Sequence, residues 1–121
     1  MMTGRVSRLH ALLPVTFRLP NQPDLSIEFV VDTGYTGSLT LPLDAINALV
    51  LQFEFDLPAS LADDSEVLVP VRSATILWHG TEQSVRVLAM GKRPLLGTLL
   101  LDGYELHAQF TEQGIVGIER L

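Results

Sequence analysis

Val15, Phe17 and Leu19 alternate with Thr16 and Arg18, and after Pro20-Asn21-Gln22-Pro23-Asp24 the alternation resumes through Leu25, Ile27, Phe29 and Val31. A period of two on either side of a Pro/Asn/Pro/Asp turn predicts a β-hairpin. The second strand loses its polar face at Val30-Val31, which places its end in a setting buried on both sides, and it stops at Asp32-Thr33-Gly34. Pro42 suits the first turn of a short helix over residues 43–51, with Ile46, Leu49 and Val50 on one stripe. Strands then return. Phe53 and Phe55 alternate with Glu54 and Asp56, and Val67, Val69 and Val71 alternate with Leu68, Pro70 and Arg72. The polar turn Ala62-Asp63-Asp64-Ser65 lies between them, so residues 57–70 read as a protruding hairpin.

Residues 74–78 and 85–90 form a further strand pair around His79-Gly80-Thr81-Glu82. Gly91-Lys92-Arg93-Pro94 breaks the second of these strands, Leu95-Leu96-Gly97 follows, and residues 98–102 suit one or two helical turns ended by Gly103. Tyr104, Leu106, Ala108 and Phe110 alternate with Glu105, His107 and Gln109, and Gln113-Gly114 turns the chain into residues 115–118. Roughly seven or eight short strands and two short helices predict an all-β domain, closed or nearly closed into a barrel. A weak internal echo accompanies this pattern. Phe29-Val30-Val31-Asp32-Thr33-Gly34 followed by a helix is matched by Val87-Leu88-Ala89-Met90, a loop, Leu95-Leu96-Gly97-Thr98 and a helix. Two similar substructures about a local pseudo-twofold axis are expected.

Composition narrows the chemistry. The chain has 121 residues, which suits one domain spanning 1–121. Its apolar share of 47% and positive mean hydropathy are high for so small a chain, so part of the apolar surface is expected to meet a partner subunit. The absence of cysteine excludes disulfides, thiolate nucleophiles and cysteine-based zinc sites. Fourteen acidic against eight basic side chains give a net charge of -6, and the basic residues are scattered, which argues against a nucleic acid partner. The apolar stretch after His10 is cut by Pro14, too short for a secretory h-region. Asp44, Asp56 and Arg93 interrupt the most apolar segments before they reach bilayer length. A cytoplasmic protein without membrane attachment is the expectation.

Asp32-Thr33-Gly34 is the motif that carries chemistry. By itself it is a common turn, and at average residue usage roughly a few per cent of chains this long would contain one by chance. Its position gives it weight. An aspartate directly after Ile27, Phe29, Val30 and Val31 stands at the rim of a core, where desolvation disfavours a carboxylate's charge. Glycine two residues on lets backbone or substrate approach closely, and threonine between them can satisfy neighbouring backbone groups.

With these residues the chain resembles the aspartic proteases, specifically the small single-lobe, retropepsin-like kind. The resemblance rests on Val30-Val31-Asp32-Thr33-Gly34, on Leu95-Leu96-Gly97 with a short helix after it, and on the hairpin in the middle of the chain. It covers most of the sequence, from about Phe17 to Phe110. It implies a small closed β-barrel of the acid-protease type with one or two short helices. It also implies that Asp32 is catalytic, that Thr33 and Gly34 brace and border the catalytic loop, and that Leu95, Leu96 and Gly97 support that loop from behind. The hairpin tip Leu61, Ala62, Asp63, Asp64 and Ser65 would be the flap over a polypeptide substrate.

The reaction needs two carboxylates sharing one proton, and this chain has a single D-T-G. Asp24, Asp44, Asp56, Asp63, Asp64 and Asp102 lie in turns, polar hairpins or helix ends. A homodimer with two Asp32 residues meeting across a twofold axis is therefore expected. The resemblance further implies that terminal strands near residues 5–13 and 115–121 form part of the interface. No metal or organic cofactor is expected.

The chain departs from pepsin-like and retroviral enzymes in carrying Tyr35, then Thr36 and Gly37, where a small residue usually follows the glycine. A serine there can hydrogen-bond a carboxylate and favour its ionised form, so its absence predicts a less acidic optimum than that of pepsin-like enzymes. The hairpin tip also lacks the glycines of retroviral flaps.

Other readings have less support. His10, His79 and His107 lack metal-ligand spacing and are expected as surface or edge histidines. Gly34-Tyr35-Thr36-Gly37-Ser38 lacks both the lysine of a phosphate loop and the serine of a nucleophile elbow. Trp78 reads as a strand residue packed on the barrel. Two alternatives to a peptidase stand: a protease-fold homodimer that binds peptides or proteins with little or no catalysis, and an unrelated small β-barrel interaction domain in which Asp32-Thr33-Gly34 is only a turn.

Overall fold

The alternating segments form strands in a computed structural model, which describes residues Met1–Leu121. The strands are β1 (Met2–Ser7), β2 (His10–Arg18), β3 (Leu25–Val31), β4 (Leu39–Leu41), β5 (Gln52–Ser60), β6 (Glu66–Trp78), β7 (Thr81–Ala89), β8 (Leu95–Leu96), β9 (Tyr104–Ala108) and β10 (Ile115–Arg120). Helix α1 covers Leu43–Ala48 and helix α2 covers Thr98–Leu101. All ten strands belong to one sheet, in the order β5-β6-β7-β4-β8-β3-β2-β1-β10-β9. The far end of β6 also pairs with β2 through Thr16↔Leu77, Phe17↔Ile76 and Arg18↔Thr75, so the sheet curls back on itself.

Ten strands exceed the seven or eight expected from alternation. Strands β4 and β8 are only three and two residues long, too short for a period to be read with security. At the N-terminus, Arg8 and Leu9 take positive φ values of 51° and 69°, dividing the segment 5–13 between β1 and β2. Helix α1 is shorter than its predicted span of 43–51. Val50 leaves the stripe of Ile46 and Leu49, adopts φ 53° and is 77% exposed, because the chain must reverse before Gln52 begins β5. Phe110 lies beyond β9 and is exposed.

The core follows the period-two pattern. Leu13, Val15 and Phe17 point inward from β2 and are fully buried, and Phe17 stacks on Phe29 with ring centroids 6.0 Å apart. Burying side chains of this size contributes roughly 1.5–3 kcal/mol each. Pro14 fits mid-strand because β1 covers residues 10–12 and β6 covers 16–18 on the edge away from β3, leaving a gap where no N–H is required.

Helix α2 ends where Gly103 adopts φ 85°. Neither helix is long and apolar enough to cross a membrane.

The echo in the sequence has a structural counterpart. Strand β3 pairs in parallel with β8 (Val30↔Leu95, Val31↔Leu96), while β7 pairs in parallel with β4 (Leu39↔Val87 to Leu41↔Ala89). Strands β4 and β8 pair antiparallel between them. Each unit of strand, loop, short strand and helix thus exchanges its short strand with the other, which is a local twofold relation.

Candidate active site

The exchange of short strands positions Asp32. Strand β3 ends at Val31 beside Leu96, and the Asp32 N–H donates to the Leu96 carbonyl at 2.9 Å, just as the Val30 N–H donates to Pro94 at 2.9 Å. The loop then folds over the aspartate. The Gly34 N–H donates to Asp32 Oδ1 at 2.9 Å, and the Tyr35 N–H donates to the Asp32 carbonyl at 3.1 Å. One carboxylate oxygen is thereby fixed by backbone. Asp32 is half-buried, whereas Thr33 and Gly34 are exposed at the surface. A side chain at position 34 would place its Cβ 3.2 Å from Asp32 Oδ1, so glycine lets the amide come this close.

Leu95, Leu96 and Gly97 lie directly behind the loop. Leu95 and Leu96 form the pairs with Val30 and Val31, and the Gly97 N–H donates to the Ser38 carbonyl at 2.8 Å. A Cβ on Gly97 would collide with the carbonyl oxygens of Gly37 and Tyr35. Only glycine fits between these backbones.

Two further residues of the loop support escape a reading of the motif. Thr98 donates to the Tyr35 carbonyl from both its N–H, at 2.8 Å, and its hydroxyl, at 3.3 Å. The Tyr35 ring lies across Gly37 and against Gly97, filling the space that side chains at those positions would need. Burial raises the Tyr35 phenol above its ordinary value. The signal in the sequence is an unusual tyrosine two residues before a glycine, but its meaning depends on Gly97, some sixty residues away.

The tip residues Leu61 to Ser65 are brought together with each other and not with Asp32. They form the turn between β5 and β6, all exposed. Asp63 Oδ1 accepts from the Ser65 N–H at 3.0 Å and from its hydroxyl, bonds that hold the Asp63 carboxyl below its ordinary value. Asp64 takes φ 66°, a left-handed conformation aspartate tolerates, so the turn forms without glycine. Its other ties are also internal: Leu61 donates to Ser65 and Asp64 donates to Leu61. The pairs Phe55↔Val71, Leu57↔Val69 and Ala59↔Val67 give the hairpin one apolar face. Phe53 and Phe55 are covered by the guanidinium groups of Arg72 and Arg86 at 5.2 and 5.1 Å.

Among the other aspartates, Asp24 pairs with Arg18 at 3.2 Å, Asp44 is in the first turn of α1, and Asp102 caps α2. His10 is bonded to Arg93 at 2.7 Å, and His107 stands on β9. His79 departs from the expected surface histidine. Its ring stacks on Tyr104 at 4.6 Å with Nε2 buried and unpartnered, and burial, followed by the N-terminal ammonium and Arg120, lowers its pKa. Beside the Asp32 loop a shallow concavity is lined by Thr36, Thr98, Leu99 and Tyr104 among others, and Asp32 lies outside it.

No family model and no curated protein matches this chain. Its structure is similar to the crystal structure of a retropepsin-like aspartic protease from Rickettsia conorii, with a TM-score of 0.54 and 14% identity over 98% of this chain and 94% of that one. At such low identity the likeness concerns the fold alone. The protein has an all-β architecture similar to that of a retropepsin-like aspartic protease.

Proposed function

We propose that the protein is an aspartic endopeptidase, active as a homodimer in which each subunit supplies one Asp32. The observation that carries this reading is the built setting of Asp32: one oxygen held by the Gly34 amide, and a loop clamped by Leu96, Gly97 and Thr98. In the paired site the two carboxylates share one proton. The ionised one takes a proton from a water as that water attacks the peptide carbonyl, and the protonated one donates to the carbonyl oxygen. The tetrahedral intermediate then collapses as the leaving nitrogen is protonated. The closed barrel of the family, and a flap formed by Leu61 to Ser65 with Phe55 and Leu57 behind it, complete the reading. The site chemistry needs no metal or organic cofactor, and the substrate is an extended polypeptide.

Incubation with an unstructured protein substrate tests the mechanism. Wild type should cleave it and Asp32→Asn should lose cleavage by at least about a thousandfold, the scale expected when an acid–base group is removed. Cleavage that survives the substitution would sink the aspartic mechanism. A dimer with paired Asp32 residues that cleaves nothing would favour the peptide-binding reading.

A further inference from the structure

We infer that a second copy of this chain docks along the free edge of β9, in the antiparallel register centred on Leu106; the inference rests on the homodimeric reading above. The expected interface through the terminal strands meets an obstacle here. Strand β1 pairs with β10 over Met2–Arg5 and with β2 over Arg5–Ser7, and β10 pairs with β1 over Ile115–Ile118 and with β9 over Val116–Arg120 of its own chain. Neither offers an edge that is free along its length. The sheet ends only at β5, in the projecting hairpin, and at β9.

The hydrogen bonding of β9 fixes which of its groups are free. In the register Val116↔Ala108 to Arg120↔Tyr104, residues 109 and 115 stand opposite each other, as do 103 and 121. The Gln109 N–H donates to the Ile115 carbonyl at 2.9 Å, and the Leu121 N–H donates to the Gly103 carbonyl at 3.1 Å. Bonded pairs alternate along an antiparallel ladder, so Gly103, Glu105, His107 and Gln109 face β10. The backbone groups of Tyr104, Leu106 and Ala108 point to the open side.

A twofold axis perpendicular to the sheet keeps each residue on its own face, so even positions meet even positions. Centring on Leu106 pairs Leu106 with its own copy and Tyr104 with Ala108 of the second copy, using every outward group of the strand. It also sets Glu105 opposite His107 of the second copy. Glu105 already faces Glu119 across the ladder within its own chain, and an imidazole on the other side can donate a hydrogen bond to the carboxylate where a further carboxylate could not. Centring on Glu105 would instead oppose two Glu105 carboxylates, and centring on His107 would oppose two imidazoles. Both use fewer backbone groups.

This edge also adjoins the candidate site. Leu106 and Ala108 pack on the small cluster of Val6, Ala11 and Val116 together with Val31, the residue before Asp32. The concavity beside the Asp32 loop runs from Thr36 and Leu99 to Gly103 and Tyr104, where β9 begins. A second copy on this edge therefore lies next to the loop that needs it.

Sedimentation and cysteine cross-linking of the full chain test the edge without measuring cleavage. Leu106→Pro removes an outward N–H that bonds nothing within the chain, and by symmetry two intersubunit hydrogen bonds are lost. Dimer dissociation should rise roughly tenfold or more, with circular dichroism unchanged. In a chain without cysteine, Leu106→Cys should give a disulfide-linked dimer under mild oxidation, since bonded antiparallel pairs have Cα atoms about 5.5 Å apart. Leu57→Cys, on the other free edge, should remain unlinked. A wild type that stays monomeric at all concentrations would overturn the proposal, as would unchanged association in Leu106→Pro or faster linkage through position 57. If position 106 links and nothing is cleaved, the peptidase reading fails and the interface stands; if active dimers form and changes at position 106 leave them unaffected, the interface fails and the peptidase reading stands.

Discussion

The Asp32 loop and the β5–β6 hairpin tip are both turns between strands, yet they are held in opposite ways. The loop is bound from outside, with Leu96, Gly97, Thr98 and Leu99 each joined to it by backbone hydrogen bonds. The tip is bound only to itself, through Asp63, Ser65 and Leu61. On the proposed reading, the chain fixes the part that holds the acid and leaves attached at one end the part that would close over a substrate. Exposed backbone with few outside contacts opens at low free energy, whereas a loop locked to a core strand opens only with the fold.

Gly97→Ala should break this contrast most severely. The added methyl meets two carbonyl oxygens of the loop, so thermal unfolding should show a loss of about 3 kcal/mol and activity should fall with it. A variant as stable as wild type would mean that the loop is not clamped. Gly37→Ala comes next, because its Cβ strikes the Tyr35 ring rather than backbone. Here the cost should be about 1–2 kcal/mol and should largely vanish in the Tyr35→Ser background, a coupling that a double-mutant cycle reads directly. Strict additivity would remove Tyr35 from the loop's support.

Thr98→Val keeps the shape and loses one hydroxyl bond to Tyr35, at a cost of about 1 kcal/mol in denaturant unfolding. At the tip, Leu61→Ala should leave stability within about 0.5 kcal/mol while raising KM for a peptide substrate. A large loss of stability would mean that the tip is as firmly fixed as the loop. On the loop side of the contrast, wild-type cleavage should peak at a less acidic pH than pepsin-like enzymes show, because Tyr35 supplies no small hydroxyl beside the carboxylate. A pH-rate profile peaking in the range of pepsin-like enzymes would contradict this.

Acidification provides a weaker probe, away from both regions. His79 is depressed in the folded state by burial, so the unfolded chain binds its proton first as pH falls. Its contribution to stability is full above the ordinary histidine value near 6.5 and declines as pH drops from there toward the folded value. The carboxyls of Glu28, Asp63 and Glu112, held low mainly by hydrogen bonds, act only below about 4.5. Melting temperature should therefore fall modestly as pH drops below about 6.5, and His79→Phe should flatten that slope.

Much of this architecture is written locally. The hairpins 15–31 and 53–71 follow from alternation, and Asp32 is legible because Asp-Thr-Gly directly follows an apolar strand and is matched by Leu95-Leu96-Gly97 further on. Strands β4 and β8 are not legible, since Leu39–Leu41 and Leu95–Leu96 read equally well as approaches to a helix. Val50 reads as a helix position because the stripe continues through it, but the chain's need to enter β5 overrides local preference. The support given by Tyr35, Gly37 and Thr98 arises from parallel pairing between distant strands, and a linear pattern contains no record of that pairing. The free edge at β9 likewise emerges only once β10 is seen to lie between β1 and β9.

The central proposition is that this chain holds half of an active site and a second copy supplies the rest. A crystal structure of the associated protein tests it through one distance, that between the two Asp32 carboxylates. The expected result is oxygens within hydrogen-bonding reach across a twofold axis, with Gly34 still bonded to Asp32 Oδ1. Two Asp32 loops facing away from each other in the only dimer formed would contradict it.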